Sequence, residues 1–160
     1  MAKKSPDNLM FKEITKKNLW AVLKLNVAEE QKKNVAPNSV SIAEAHFSDY
    51  AWMRAIYVGE TPVGFVMLAD PVSGEEGEDE KYNGRYFLWR YMIAKEHQGK
   101  GYGKKGLDLL CNYVRSRPNA EYLYSSYEPG EHGPKMFYLK YGFEETGEKI
   151  DHEIEIRMKL

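Results

Sequence analysis

Nine residues, Gln98-Gly99-Lys100-Gly101-Tyr102-Gly103-Lys104-Lys105-Gly106, place four glycines between an aromatic apolar run and an amphipathic stretch. The run before them, Arg85 to Ile93 (RYFLWRYMI), reads as a strand covered on both faces. After them, Leu107, Leu110, Cys111 and Val114 recur at helical spacing until Pro118-Asn119 stops the pattern. A strand that enters a helix through glycine turns the helix's first amides outward, an arrangement suited to a pyrophosphate. Glycine lets a bulky anion approach those amides, and Lys100, Lys104 and Lys105 add positive charge. Glu121 to Tyr127 reads as the next strand, which closes a βαβ unit.

The rest of the chain supplies shorter elements. Leu9 to Ile14 reads as a first strand, and Thr15 can cap a helix carrying Leu19, Trp20, Val22, Leu23 and Leu25. Asn38 or Ser39 can cap a second helix running to about Tyr50. Trp52 to Val58 and Pro62 to Leu68, joined by Gly59-Glu60-Thr61, predict an antiparallel hairpin. Residues 70 to 84 hold six acids, Asp70 among them, with Gly, Pro and Asn-Gly, a composition expected of a solvated, protruding loop. Pro134 can open a helix containing Met136, Phe137 and Tyr138, which Gly142 ends before a return strand from Phe143. Ile154, Ile156, Met158 and Leu160 alternate with charged residues, predicting a half-buried strand at a sheet edge, open to pairing in a homodimer. The expected order is βααβββαβαββ in a single α/β (α+β) domain spanning residues 1–160.

Bulk composition narrows the function. Lys plus Arg number 23 against 24 for Asp plus Glu, so the chain lacks the electrostatic footprint of a nucleic-acid binder, and no nucleic-acid partner is expected. No apolar stretch approaches the roughly 20 residues that span a bilayer, and the first residues carry no apolar signal core, so a membrane partner is not expected. Cys111 is the sole cysteine, which makes the reducing cytoplasm the simplest compartment. It shares a face with Leu107, Leu110 and Val114 and reads as a small buried hydrophobe rather than a nucleophile. The four histidines are scattered without ligand spacing, so no metal is expected.

Three nucleotide-binding classes compete for the turn. Gly101-x-Gly103-x-x-Gly106 satisfies the dinucleotide fingerprint, and Glu128 stands where a ribose-binding acid would. The 32 residues after Glu128 are too few to complete a doubly wound sheet, and the chain before the turn is rich in hairpins, so a Rossmann domain is not expected. A P-loop needs Ser or Thr after its lysine, where this chain has Lys104-Lys105.

Gln98-x-x-Gly101-x-Gly103 after a central strand resembles the signature of the GNAT superfamily of acyl-CoA-dependent N-acyltransferases. Phe137-Tyr138-x-x-x-Gly142-Phe143 is similar to that family's last helix, and with the element order the likeness extends over most of residues 9 to 160. Within the superfamily the chain looks most like bacterial spermine/spermidine acetyltransferases, through Glu30-Gln31, Tyr102-Gly103 and Gly142-Phe143…Thr146-Gly147-Glu148.

The resemblance implies a central mixed, mostly antiparallel sheet flanked by helices, with acetyl-CoA as co-substrate. Its pantetheine arm would pair with the backbone of Tyr91, Met92 and Ile93, and its pyrophosphate would sit on the amides of Gly99, Lys100, Gly101, Tyr102, Gly103 and Lys104, with Gln98 closing the edge of the cofactor loop. Tyr138 falls on the tyrosine that would protonate the leaving thiolate as general acid. Trp89 stands where several polyamine enzymes carry an acid, a departure that leaves the base to Glu128 or Glu131, or to Glu29 and Glu30 acting through water. Glu29, Glu30, Glu44, Asp49, Glu128 and Glu131 are the carboxylates available for a cationic acceptor. The implied reaction is direct attack of a primary amine on acetyl-CoA, with a polyamine or diamine leading. An aminoglycoside, an amino acid, a protein N-terminus, or a non-catalytic acyl-CoA sensor are the alternatives.

Overall fold

The computed structural model describes residues 8–71 and 84–160. Strands β1 (Leu9–Lys12), β2 (Ala51–Val58), β3 (Thr61–Ala69), β4 (Tyr86–Ile93), β5 (Tyr122–Tyr127), β6 (Glu144–Ile150) and β7 (Glu153–Lys159) form one sheet in the order β1-β2-β3-β4-β5-β7-β6. Helices α1 (Leu19–Leu23), α2 (Asn38–His46), α3 (Tyr102–Arg115) and α4 (Lys135–Tyr141) complete the expected order. Every neighbouring pair is antiparallel except β4 and β5. A parallel pair cannot be closed by a tight turn, so α3 provides the crossover.

The two faces of the sheet carry separate cores. On one, Leu107, Leu110, Cys111 and Val114 of α3 pack with Ile56, Val66, Leu68, Leu88 and Leu123. On the other, Val22 of α1 packs with Ala55, Tyr57, Phe65, Met67 and Met92. This division explains why β3 and β4 read as nearly continuous apolar runs: successive side chains point to opposite faces, and both are covered. Gly59, at φ +58°, makes the β2–β3 connection.

Several local expectations need correction. The first helix starts at Leu19, after a turn in which the Thr15 carbonyl accepts from the amides of Asn18 and Leu19. Asn38 does not cap α2: its side chain is buried and donates to the Val22 carbonyl at 3.0 Å, tying α2 to α1. The second helix ends at His46, short of Tyr50. Asp70 is not in a solvated loop but fully buried, 2.9 Å from the Arg117 guanidinium; residues 72–83 of that expected loop lie outside the described residues. The C-terminal strand is interior, with β5 on one side and β6 on the other, so the edge that motivated a homodimer belongs to β6. Being interior, β7 buries Glu155 as well as Ile156, and the carboxylate is met by Arg85 at 3.2 Å and Thr146 at 2.9 Å.

Removing one partner of a buried ion pair strands the other charge. Asp70→Ala should therefore lower stability by about 3 kcal/mol, read from the urea midpoint at unchanged slope. A loss below about 0.5 kcal/mol would place the pair among inconsequential surface contacts.

Candidate active site

The site starts where two parallel strands part. β4 and β5 are in register at Tyr86 with Leu123, Phe87 with Tyr124 and Leu88 with Ser125, and there the pairing ends. At that point the Ser125 hydroxyl donates to the Leu88 carbonyl at 2.9 Å. β4 continues to Ile93, held on its other side by β3. The Ala94 amide donates to Val63 of that neighbour, so by strand alternation Tyr91 and Ile93 turn their backbone groups the opposite way, into the gap. A cleft of about 640 Å³ occupies the divergence, within the range of small-molecule sites.

The glycine turn forms one wall. Gly99 and Gly101 lie at φ +75° and +83°, in the left-handed region, and a Cβ added at either would meet no atom within 4 Å. Their glycines are thus required by backbone conformation, not by crowding, while the space around them stays open. The first bond of α3 runs from the Lys105 amide to the Gly101 carbonyl, which leaves the amides of Tyr102, Gly103 and Lys104 as the helix's first-turn donors. All three residues line the cleft, whereas Lys100 is exposed and outside its lining.

Gly103 and Gly106 have a different reason. A Cβ on Gly103 would come within 3.2 Å of the Phe137 ring, and one on Gly106 would collide with the Tyr91 hydroxyl. That hydroxyl donates to the Gly103 carbonyl at 2.6 Å, fastening the start of α3 to β4. Burial pushes the Tyr91 phenol far up, so it remains a donor at any ordinary pH. The Tyr91 side chain thus helps to position the start of α3. The Gln98 amide also looks inward, donating to the Ile93 carbonyl at 2.9 Å and to Gln31 Oε1 at 2.8 Å. Gln31 Oε1 accepts from the Ala28 amide too, so the short 3₁₀ turn Glu29–Gln31 is moored to the end of β4.

The opposite end holds the titratable groups. Tyr138 of α4 is buried against Phe143, ring centroids 5.3 Å apart, and lines the cleft with Ser125. Burial raises its phenol well above the usual tyrosine range; a hydrogen bond with Ser125 opposes the shift and the charge of Glu153 adds to it. Glu128, just beyond β5, lines the cleft, and its Oε2 lies 2.6 Å from His152 Nε2. Trp89 lines it as well, stacked on Tyr50 at 5.9 Å.

Other expected acids fall elsewhere. Glu131 is exposed and outside the cleft lining, as are Glu29 and Glu30, although Gln31 beside them lines it. Lys32 holds Glu29 at 2.6 Å, and that hydrogen bond lowers the carboxyl's pKa. Glu44 is engaged by Arg90 at 3.1 Å. Cys111 sits in the core, its thiol raised by burial. His152 and Glu153, which line the cleft, were missed in the sequence: only the placement of β7 beside β5 brings them next to Glu128.

Comparison with known proteins gives concordant likenesses. The Acetyltransferase (GNAT) family model matches residues 19–143. A probable spermine N(1)-acetyltransferase of Bacillus subtilis subsp. natto (strain BEST195) is 32% identical over 142 residues, covering 88% of this chain and 91% of that protein. The spermine/spermidine N(1)-acetyltransferase of Bacillus subtilis (strain 168) is 31% identical with the same coverage. Among solved structures, the AAC(6')-Ib complex with ribostamycin and coenzyme A has a TM-score of 0.73 at 15% identity, covering 96% of this chain and 94% of that one, a likeness of fold.

The Tyr91–Gly106 fit makes a testable demand. Gly106→Ala should expel the phenol and cost about 1–3 kcal/mol in urea unfolding, against about 1 kcal/mol for Tyr91→Phe. Because the first change already breaks the bond to Gly103, adding Tyr91→Phe to it should cost little more. Additive losses would separate the two residues.

Proposed function

The chain belongs to the acetyltransferase (GNAT) family and is an acetyl-CoA-dependent N-acetyltransferase, and from that premise we propose that it acetylates a primary amine of a polyamine or diamine such as spermidine or spermine. The observation that carries the acceptor class is the likeness, over 88% of the chain, to relatives named for spermine and spermidine. The cleft's chemistry supports it. Glu128 and Glu153 line the end near Tyr138, where carboxylates favour an acceptor that carries positive charge.

The residues present suit acetyl-CoA as the other substrate. The first-turn amides of Tyr102, Gly103 and Lys104, beside the open left-handed positions Gly99 and Gly101, form the cradle a pyrophosphate needs. Backbone groups of Tyr91 and Ile93 facing the gap can hold the amides of the pantetheine arm. Gln98 contributes by mooring the end of β4 through Ile93. In this reading the acceptor attacks the thioester directly within a ternary complex, since Cys111 is in the core and away from the cleft lining.

Tyr138 is the general acid of this proposal. Its raised pKa keeps the phenol protonated while sulfur departs, so its hydrogen bond to the developing thiolate is available throughout the assayable range. The sign follows directly: a phenol shifted upward loses its proton only above the ordinary tyrosine range, so Tyr138 should impose no alkaline decline on the rate between about pH 7 and 9.

A thiol-release assay over an amine panel tests the acceptor, with spermidine and spermine expected to give the highest kcat/KM and an N-acetylated product by mass. Preference for an aminoglycoside or an amino acid would overturn the polyamine assignment. Tyr138→Phe should lower kcat roughly 10²-fold to 10⁴-fold while KM for acetyl-CoA stays within a few-fold. Near wild-type turnover would remove the acid role from Tyr138.

A further inference from the structure

His152 opens a path for the proton that the acceptor must lose. It lies at the turn between β6 and β7, and its Nε2 is 2.6 Å from Glu128 Oε2. At that separation the carboxylate faces Nε2 rather than Nδ1, and an ionised carboxylate, which can only accept, favours the tautomer that carries its hydrogen on the ring nitrogen beside it. In the neutral ring the lone pair then sits on Nδ1. The two side chains differ in access: His152 is 73% exposed and Glu128 only 25%, and both line the cleft.

We propose that His152 is the general base of the reaction, and that Glu128 is the carboxylate that fixes its tautomer and orientation. The inference rests on acetyl transfer to an amine and is independent of which amine is used. Chemistry favours an imidazole over a carboxylate here. An aliphatic ammonium titrates near pH ~10.4, so a carboxylate titrating near ~4.3 is about 10⁶-fold too weak a base, and an imidazole near ~6.5 about 10⁴-fold. The carboxylate behind it helps further, because an anion beside Nε2 attracts the positive charge that develops on the ring during proton transfer.

The protons balance. The ammonium gives one proton to His152 Nδ1, and the freed amine attacks the thioester carbon. As the carbon–sulfur bond breaks, the thiolate takes a proton from Tyr138, and the nitrogen's second proton restores the phenol. The amide keeps the third, and the exposed imidazolium returns its proton to solvent. The net products are amide, free thiol and one proton.

The groups that set the pH response share the cleft with His152: Glu128 and Glu153 from the sheet, Tyr138 from α4, and Lys33 and His132 from the facing loops.

His152→Gln and Glu128→Gln test the assignment, each checked by thermal melting and assayed with whichever amine the wild type acetylates. His152→Gln should lower kcat about 10²-fold, leave KM for acetyl-CoA unchanged and abolish the acidic limb of the kcat/KM profile. Glu128→Gln removes the carboxylate that orients the ring, so it should alter that limb without abolishing it and reduce the rate less. A two-bond proton–nitrogen spectrum of the imidazoles, with His152 assigned through the variant, should show hydrogen on Nε2 in the neutral ring. Hydrogen on Nδ1, an intact acidic limb in His152→Gln, or a far larger loss in Glu128→Gln than in His152→Gln would each overturn the proposal. Failure of polyamines alone, with another amine accepted, would overturn only the acceptor assignment, and the spectrum reads His152 without any acceptor.

Discussion

Everything in the cleft depends on where the β4–β5 pairing stops. A parallel pair that stayed in register to Ile93 would bury the backbone of both strands and leave no gap. Instead the ladder ends at Leu88 and Ser125, and the Ser125 hydroxyl takes up the Leu88 carbonyl at the fork. Beyond it, each strand is held away from the other by its outer neighbour, β3 for β4 and β7 for β5. The gap is therefore a property of the sheet's register and needs no flexible loop to create it.

From that fork the site divides into two ends. At one, the glycine turn delivers the start of α3, fixed to β4 by the Tyr91 phenol passing into the slot that Gly106 leaves. At the other, α4 brings Tyr138 against Ser125, and the end of β5 meets the start of β7 with Glu128, His152 and Glu153. One end offers backbone donors suited to an anion; the other offers carboxylates and an imidazole suited to a cationic amine.

Much of this was legible in the sequence because local signals and global fold agree. The aromatic run, the glycines and the helical spacing of Leu107 to Val114 fix the strand–turn–helix that forms half the site, and the order of elements followed from breaker residues. What failed were inferences that need a distant partner. Period-two alternation shows that the last strand is a strand but not that it lies inside the sheet, nor that Glu155 among its charged residues is buried. Asp70 looked like part of an acidic loop because Arg117, which neutralises it, comes after α3. Glu29 and Glu30 offered carboxylates suited to a cationic acceptor, yet of residues 29–31 only Gln31 lines the cleft. His152 passed for one scattered histidine among four until β7 docked beside β5.

The central claim is that the fork between β4 and β5 and the turn beside it form one ligand-binding surface. Amide hydrogen exchange, followed residue by residue with and without coenzyme A, tests it most directly. The account predicts that the ligand slows exchange at Tyr91, Ile93, Tyr102, Gly103 and Lys104, while amides in the β2–β3 hairpin are unaffected. Protection confined to another surface, with those five amides unchanged at saturating ligand, would contradict it.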